Sequence, residues 1–155
     1  MTAPIRIFGI GSPFGDDRIG WLAAEALQGR FDPAQVSVSS HDRPGAGLIN
    51  LMRGARLVVL VDAVQSGAPA GTLHRLEGKA VRQAVAHYTS THGFGIAEAL
   101  ELGDRLNDGP DRVVLWGVEG AICELAEINQ SLQDALPGLL TAVMDEIDVA
   151  ISTMN

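Results

Sequence analysis

Six side chains of the types that hold cations stand where short apolar runs give out. Asp16 and Asp17 close a loop that follows Ile5–Ile10, within Gly9-Ile10-Gly11-Ser12-Pro13-Phe14-Gly15-Asp16-Asp17-Arg18-Ile19-Gly20. His41 and Asp42 follow the alternating run Val36–Ser40, and Asp62 comes directly after Leu57–Val61. His92, preceded by Thr91, leads into Phe94–Leu106, whose apolar residues recur at helical spacing. A glycine-rich loop feeding a helix normally offers bare N–H groups and a positive dipole end to a phosphate. Here two carboxylates already occupy that end, which suits the helix and repels an anion. A cation is the better guest. Carboxylates and an imidazole with open coordination positions suit a borderline divalent ion such as zinc, nickel or manganese. A histidine near a helix N-terminus is biased towards its neutral form, the form that binds metal.

Each of these residues also has a plainer role. Asp16 can cap the helix, and Asp17 can be a solvated first-turn acid. Asp62 can form an Asx-type turn, although a carboxylate ending a buried run needs a partner or solvent. His92 can be a surface histidine, and His41 and Asp42 fit loop or supporting positions better than ligand positions. His74 in a weak strand and His87 in a polar stretch are not expected at the same edge. Cys123 has no histidine beside it in sequence and reads as a small buried hydrophobe. Trp21 and Trp116 read as packing residues.

The elements that must position the acids alternate. Strands are predicted over Ile5–Ile10, Val36–Ser40, Leu57–Val61, Thr72–Leu76 and Val113–Val118. The valine-rich third and fifth runs have the continuous apolar character of strands covered on both faces, whereas Val36–Ser40 alternates like an outer strand. Helices are predicted over Arg18–Leu27, Ala46–Met52, Lys79–Val85 and Phe94–Leu106. A last helix opens at Ser131-Leu132-Gln133-Asp134, which is similar to a capping box. Pro137 should bend that helix or delay its start. The pattern predicts one α/β domain over 1–155, a three-layer sandwich whose mostly parallel, about five-stranded sheet carries helices on both faces. In such sheets ligands collect outside the carboxyl ends of the strands, where most of the six side chains fall.

Composition narrows the partners. The 155 residues carry a net charge of −8 and only 5% aromatic residues, which argues against a nucleic-acid footprint or a base-stacking platform. One cysteine rules out an internal disulfide and any multi-cysteine metal pattern. No apolar run reaches the roughly 20 residues of a membrane span, and no secretory leader is visible, so a cytoplasmic monomer without membrane contact is expected. His-Glu-x-x-His and Gly-x-Ser-x-Gly are both missing, leaving conventional zincin and serine-hydrolase chemistry without support. A nucleotide-binding domain built on Gly9-x-Gly11-x-x-x-Gly15 is one reading of these residues, and a non-catalytic metal-binding chaperone using the rim acids is another.

The run Gly9 to Gly20 resembles the opening signature of the hydrogenase maturation proteases, endopeptidases that trim the C-terminal extension of the [NiFe]-hydrogenase large subunit after nickel insertion. The likeness continues through Asp42-Arg43-Pro44-Gly45-Ala46-Gly47-Leu48 and the strand ending in Asp62. It resumes at Thr91-His92-Gly93-Phe94-Gly95-Ile96-Ala97-Glu98-Ala99-Leu100 and at Val113-Val114-Leu115-Trp116-Gly117-Val118, spanning nearly the whole chain in family order. The resemblance implies that Asp17, Asp62 and His92 contact the metal, that Asp16 matches the acid before the first ligand, and that Asp42 matches an acid after the second strand. It implies a [NiFe]-hydrogenase large-subunit precursor as substrate, with nickel supplied by that precursor; the isolated protein could take up another divalent metal. Asp16 would then be a candidate to accept a proton from the attacking water. Ser12 stands where asparagine is usual, the loop before the acids is a residue short, and Glu119-Gly120 replaces the Gln-Pro or Val-Pro turn common after the fifth strand.

Overall fold

The computed structural model describes residues 3–42, 44–87, 96–121 and 127–154. Five strands, β1 (Ile5–Gly11), β2 (Val36–Asp42), β3 (Leu57–Val64), β4 (Leu73–Glu77) and β5 (Arg112–Glu119), form one sheet in the order β2-β1-β3-β5-β4. β1 runs parallel to β2 and β3, and β3 runs parallel to β5. Only β4, on the edge beyond β5, is antiparallel. A 3₁₀ turn, Gly15–Arg18, leads into α1 (Ile19–Leu27), and a second, Gly45–Gly47, leads into α2 (Leu48–Met52). α3 (Lys79–His87), α4 (Ile96–Arg105) and α5 (Gln130–Met154) complete the described elements. The expected α/β sandwich with a mixed, mostly parallel sheet is what forms.

Strand alternation divides the interior into two cores. Val59 and Val61 of β3 join Ile5, Ile7, Ile19, Ala23, Leu27, Leu139, Val143 and Ile147, so α1 and α5 cover one face. Val58, Leu60 and Val64 point the other way and meet Leu48, Met52, Val81, Val85, Ile96 and Leu100 from α2, α3 and α4. Each fully buried Val, Leu or Ile contributes about 1.5–3 kcal/mol, so a central strand apolar on both sides holds both helical layers. At the start of β1, Arg6 is only 5% exposed; its guanidinium donates to the carbonyls of Ala3 (2.8 Å), Leu51 (2.8 Å) and Arg53 (2.9 Å). It thereby satisfies carbonyls at the end of α2 that the helix leaves unpaired. Burial lowers its pKa from the ordinary arginine value.

Several boundaries differ from the sequence expectation. β2 runs on through His41 and Asp42, because Ile10 and Gly11 of β1 continue the parallel register opposite them. α3 extends to His87, and the helix expected at Ala46–Met52 splits into a 3₁₀ turn and a five-residue α-helix. The cap of α5 is Asn129 rather than Ser131: its Oδ1 accepts the Ser131 amide at 2.8 Å, and its carbonyl accepts those of Leu132 and Gln133. Pro137 lies inside a helix that already begins at Gln130, so it does not delay the start.

Candidate active site at the carboxyl rim of the sheet

The chain leaves β1 towards β2 on one side of the sheet and places β3 on the other. The β1/β3 boundary is therefore the topological switch point, where an open α/β sheet forms a crevice outside its carboxyl ends. Asp17 follows β1 and Asp62 lies near the end of β3, one on each side of that boundary.

Backbone seated directly on backbone holds Asp17 there. A Cβ on Gly9 would lie 2.2 Å from the Gly20 carbonyl oxygen, and one on Gly11 would lie 2.1 Å from that of Asp17. A Cβ on Gly20 would meet the carbonyl oxygens of Ile10 at 2.2 Å and Val61 at 2.5 Å. Glycine at 9, 11 and 20 thus lets the 3₁₀ turn and α1 settle onto β1 and β3 with Asp17 over the strand end. The space beside Gly9 and Gly11 is filled by the chain itself. A phosphate cradle built on those glycines, the basis for a nucleotide-binding domain, therefore has no room here. The Ser12 hydroxyl donates to Asp17 Oδ2 at 2.9 Å, and the Ser12 amide donates to the Asp17 carbonyl at 3.3 Å.

Asp62 is 1% exposed and shares the sheet face of Leu60 and Val64. Its Oδ1 accepts the next residue's amide, Ala63, at 2.8 Å; this is not the Asx-type turn of the plainer account, which would bond the amide two residues on, because β3 continues through Asp62 to Val64. Asp16 departs from the capping role. Neither the 3₁₀ turn nor α1 has a side-chain cap. Instead Asp16 Oδ2 accepts the Ala121 amide at 2.8 Å and Oδ1 accepts the Asn129 amide at 2.7 Å. It ties the segment after β5 and the start of α5 to the β1 loop.

A second buried acid was not foreseen. Glu119 ends β5 and is 2% exposed. Its carboxylate accepts the Ser66 amide (2.8 Å), the Ser66 hydroxyl (2.6 Å) and the Gly67 amide (3.3 Å), and pairs with His74 Nε2 at 3.0 Å. Burial is the largest influence on Glu119 and would raise its pKa; the Ser66 hydroxyl and amide, His74 and the Gly67 amide together outweigh it and hold the group below the ordinary glutamate value. Glu119 thereby clamps the loop that leaves β3 after Val64, two residues beyond Asp62. The signal was present, since Glu119, like Asp62, directly follows a run of mostly apolar residues. His74 must also be moved: because β4 is antiparallel, His74 pairs with Gly117, which in turn pairs with Asp62, so it stands at the rim.

His41 does not point to ligation. Its Nε2 lies 2.8 Å from Ser39 Oγ, its ring meets Phe8 edge-on at 5.2 Å, and its carbonyl accepts Trp21 Nε1 at 3.0 Å. Burial lowers its pKa and favours the neutral ring. Asp42 is exposed at the end of the edge strand, and His87 is exposed at the end of α3. Thr91, His92 and Cys123 lie outside the described residues. Among the described residues no group of three His, Cys, Asp or Glu side chains could hold a metal; the set inferred above includes His92, which is not among them. None of the described helices is long and apolar enough to cross a membrane.

Residues 22–146 match the family model described as hydrogenase maturation protease. The chain belongs to the hydrogenase maturation protease family. Among curated relatives of this family, it is 31% identical to the hydrogenase expression/formation protein HupD of Thiocapsa roseopersicina and 32% identical to HoxM of Cupriavidus necator. Those matches cover 91% and 90% of this chain but only 64% and 68% of the relatives' lengths. Among solved structures, the hydrogenase maturating endopeptidase HybD from Escherichia coli superimposes with a TM-score of 0.84 at 20% identity, over 97% of this chain and 94% of HybD. The maturation protease HycI from Thermococcus kodakarensis gives 0.68 at 22% identity, over 94% and 93%. At these identities the superpositions speak for a shared fold, the mixed five-stranded sandwich of hydrogenase maturation proteases.

Proposed function

We propose that this protein is the endopeptidase that removes the C-terminal extension of a [NiFe]-hydrogenase large-subunit precursor once nickel has been inserted. The observation that carries it is the placement of Asp17 and Asp62 on either side of the β1/β3 switch point, within a chain that belongs to the hydrogenase maturation proteases. Nickel belongs to the substrate, held by the precursor. Asp17, Asp62 and His92 would complete part of its coordination, so a precursor without metal would lack the contact that seats it. Hard carboxylate oxygens and one imidazole are a donor set that nickel accepts.

In this assignment the fold supplies positioning. Asp62 is held by β3 in a nearly closed environment, where charge interactions are stronger than in water. Asp17 is carried by a turn that cannot slide, because its own backbone fills the space above Gly11. A metal ion next to a scissile carbonyl polarises it and acidifies bound water. Each Asp16 oxygen keeps a second lone pair beyond its backbone bond, so Asp16 is the acid assigned to accept the water's proton.

The test is mass analysis of nickel-loaded precursor incubated with wild-type protein and with folded Asp17→Asn, Asp62→Asn and His92→Ala variants. Wild type should release a C-terminal peptide, and each variant should be slower by at least about 100-fold, the scale on which misplaced reacting groups act. Wild-type rates in all three variants would remove the site. Metal-dependent binding with no peptide released would instead identify a non-catalytic chaperone.

A further inference from the structure

Ser12 is among the few buried polar residues of the described chain, 3% exposed, and nothing assigned so far uses it. It sits between the end of β1 and the turn that carries Asp17. Its oxygen accepts the Phe14 amide at 3.4 Å, and its proton goes to Asp17 Oδ2 at 2.9 Å. A hydroxyl has one proton to donate. With Phe14 N–H on the acceptor side, the hydroxyl rotor has a fixed direction, and one oxygen of Asp17 is held against the loop. The Ser12 amide adds a backbone bond to the Asp17 carbonyl at 3.3 Å, so main chain and side chain of Asp17 are fastened to the same residue. Phe14, at 69% exposure, faces solvent at the loop tip and leaves the buried interior of the loop to Ser12.

We infer that Ser12 is the positioning residue for Asp17: its hydroxyl fixes the carboxylate in the orientation from which Asp17 meets the metal carried by the precursor. The inference rests on the proposed function and adds the residue that sets one ligand's geometry. In this role Ser12 acts through Asp17, to which its hydroxyl donates. Groups that orient a ligand from behind are worth about 10–100-fold in metal affinity or activity.

The experiment measures Kd for nickel-free and for nickel-loaded precursor by biolayer interferometry and takes their ratio for each variant. A purely structural role for Ser12 would weaken both complexes alike and leave the ratio unchanged. The expected result is that Ser12→Ala lowers the ratio by about tenfold or more, and that Ser12→Thr, which keeps the hydroxyl, restores it to within about threefold of wild type. Ser12→Cys, close in size and a weak donor, should lower the ratio in the same direction and serves if the alanine form is too unstable to measure. A ratio untouched in Ser12→Ala and Ser12→Cys but collapsed in Asp17→Asn overturns the positioning role and leaves the proposed function standing. A ratio near one in wild type, or one that Asp17→Asn does not move, overturns the metal-contacting function of Asp17 and the role of Ser12 with it.

Discussion

Replacing Gly20 by alanine should damage both stability and the site, because its Cβ has no place to go. The added carbon would sit 2.2 Å from the Ile10 carbonyl oxygen and 2.5 Å from that of Val61, both main-chain atoms of the two central strands. Bringing 2.2 Å up to 3.0 Å, a separation still tighter than ordinary contact, requires α1 to lift by about 0.8 Å. Overpacking of this kind costs about 1–3 kcal/mol, and a collision with backbone in two strands belongs at the top of that range. For a domain of this size, about 3 kcal/mol lowers Tm by about 6–12 °C. The same lift moves Asp17, one helical turn earlier, away from the rim, and a displacement near 1 Å can cost about 100-fold in rate. Thermal melts and peptide-release rates, measured below the transition, read the two effects separately. Gly47→Ala is the control: it has open space around it and lies outside the left-handed region, so it should stay within about 0.5 kcal/mol of wild type. If Gly20→Ala melts within 2–3 °C of wild type and cleaves normally, the close seating of α1 on β1 and β3 does not set the site.

Glu119→Gln should cost about 1–3 kcal/mol at neutral pH, because a carboxamide cannot accept from all of the Ser66, Gly67 and His74 donors. Glu119 has a lowered folded pKa, so its stabilisation is fully present above the unfolded value, about 4.3, and is lost as pH falls through the lower folded value. Urea midpoints of wild type and variant should therefore converge as pH falls from about 5 to 3; a gap unchanged over that range would refute the clamp. Arg6→Met, close in length, removes the donor to three carbonyls at the far end of the sheet and should cost about 3 kcal/mol in denaturant unfolding. Its peptide-release rate below the transition should equal wild type, and a slowed rate in fully folded protein would show that the two ends of the sheet are coupled.

The sandwich was legible because burial on both faces leaves a local trace. Leu57–Val61 is continuously apolar, Val36–Ser40 alternates, and the structure makes them a central and an edge strand. The double acid after β1 could likewise be read directly, and so could the place of Asp62 near the rim, although β3 runs two residues past it to Val64 because β5 continues the pairing as far as Glu119. Element ends were less legible. Whether His41 and Asp42 belong to β2 depends on how far β1 continues beside them, and Asn129 rather than Ser131 caps α5 because the chain reaches the helix from a segment that Asp16 holds.

Sequence alone determined which residues could be buried, which runs would be strands, and which acids would stand near the carboxyl rim, because those properties follow from periodicity over a few neighbouring residues. Only the tertiary structure decided what each acid does there. Asp16 binds amides 105 and 113 residues away, Glu119 clamps a loop 53 residues earlier, and the antiparallel direction of β4 brings His74 beside it. A hydrogen bond between distant segments leaves no period in the chain; it exists only once the sheet has set which ends lie together.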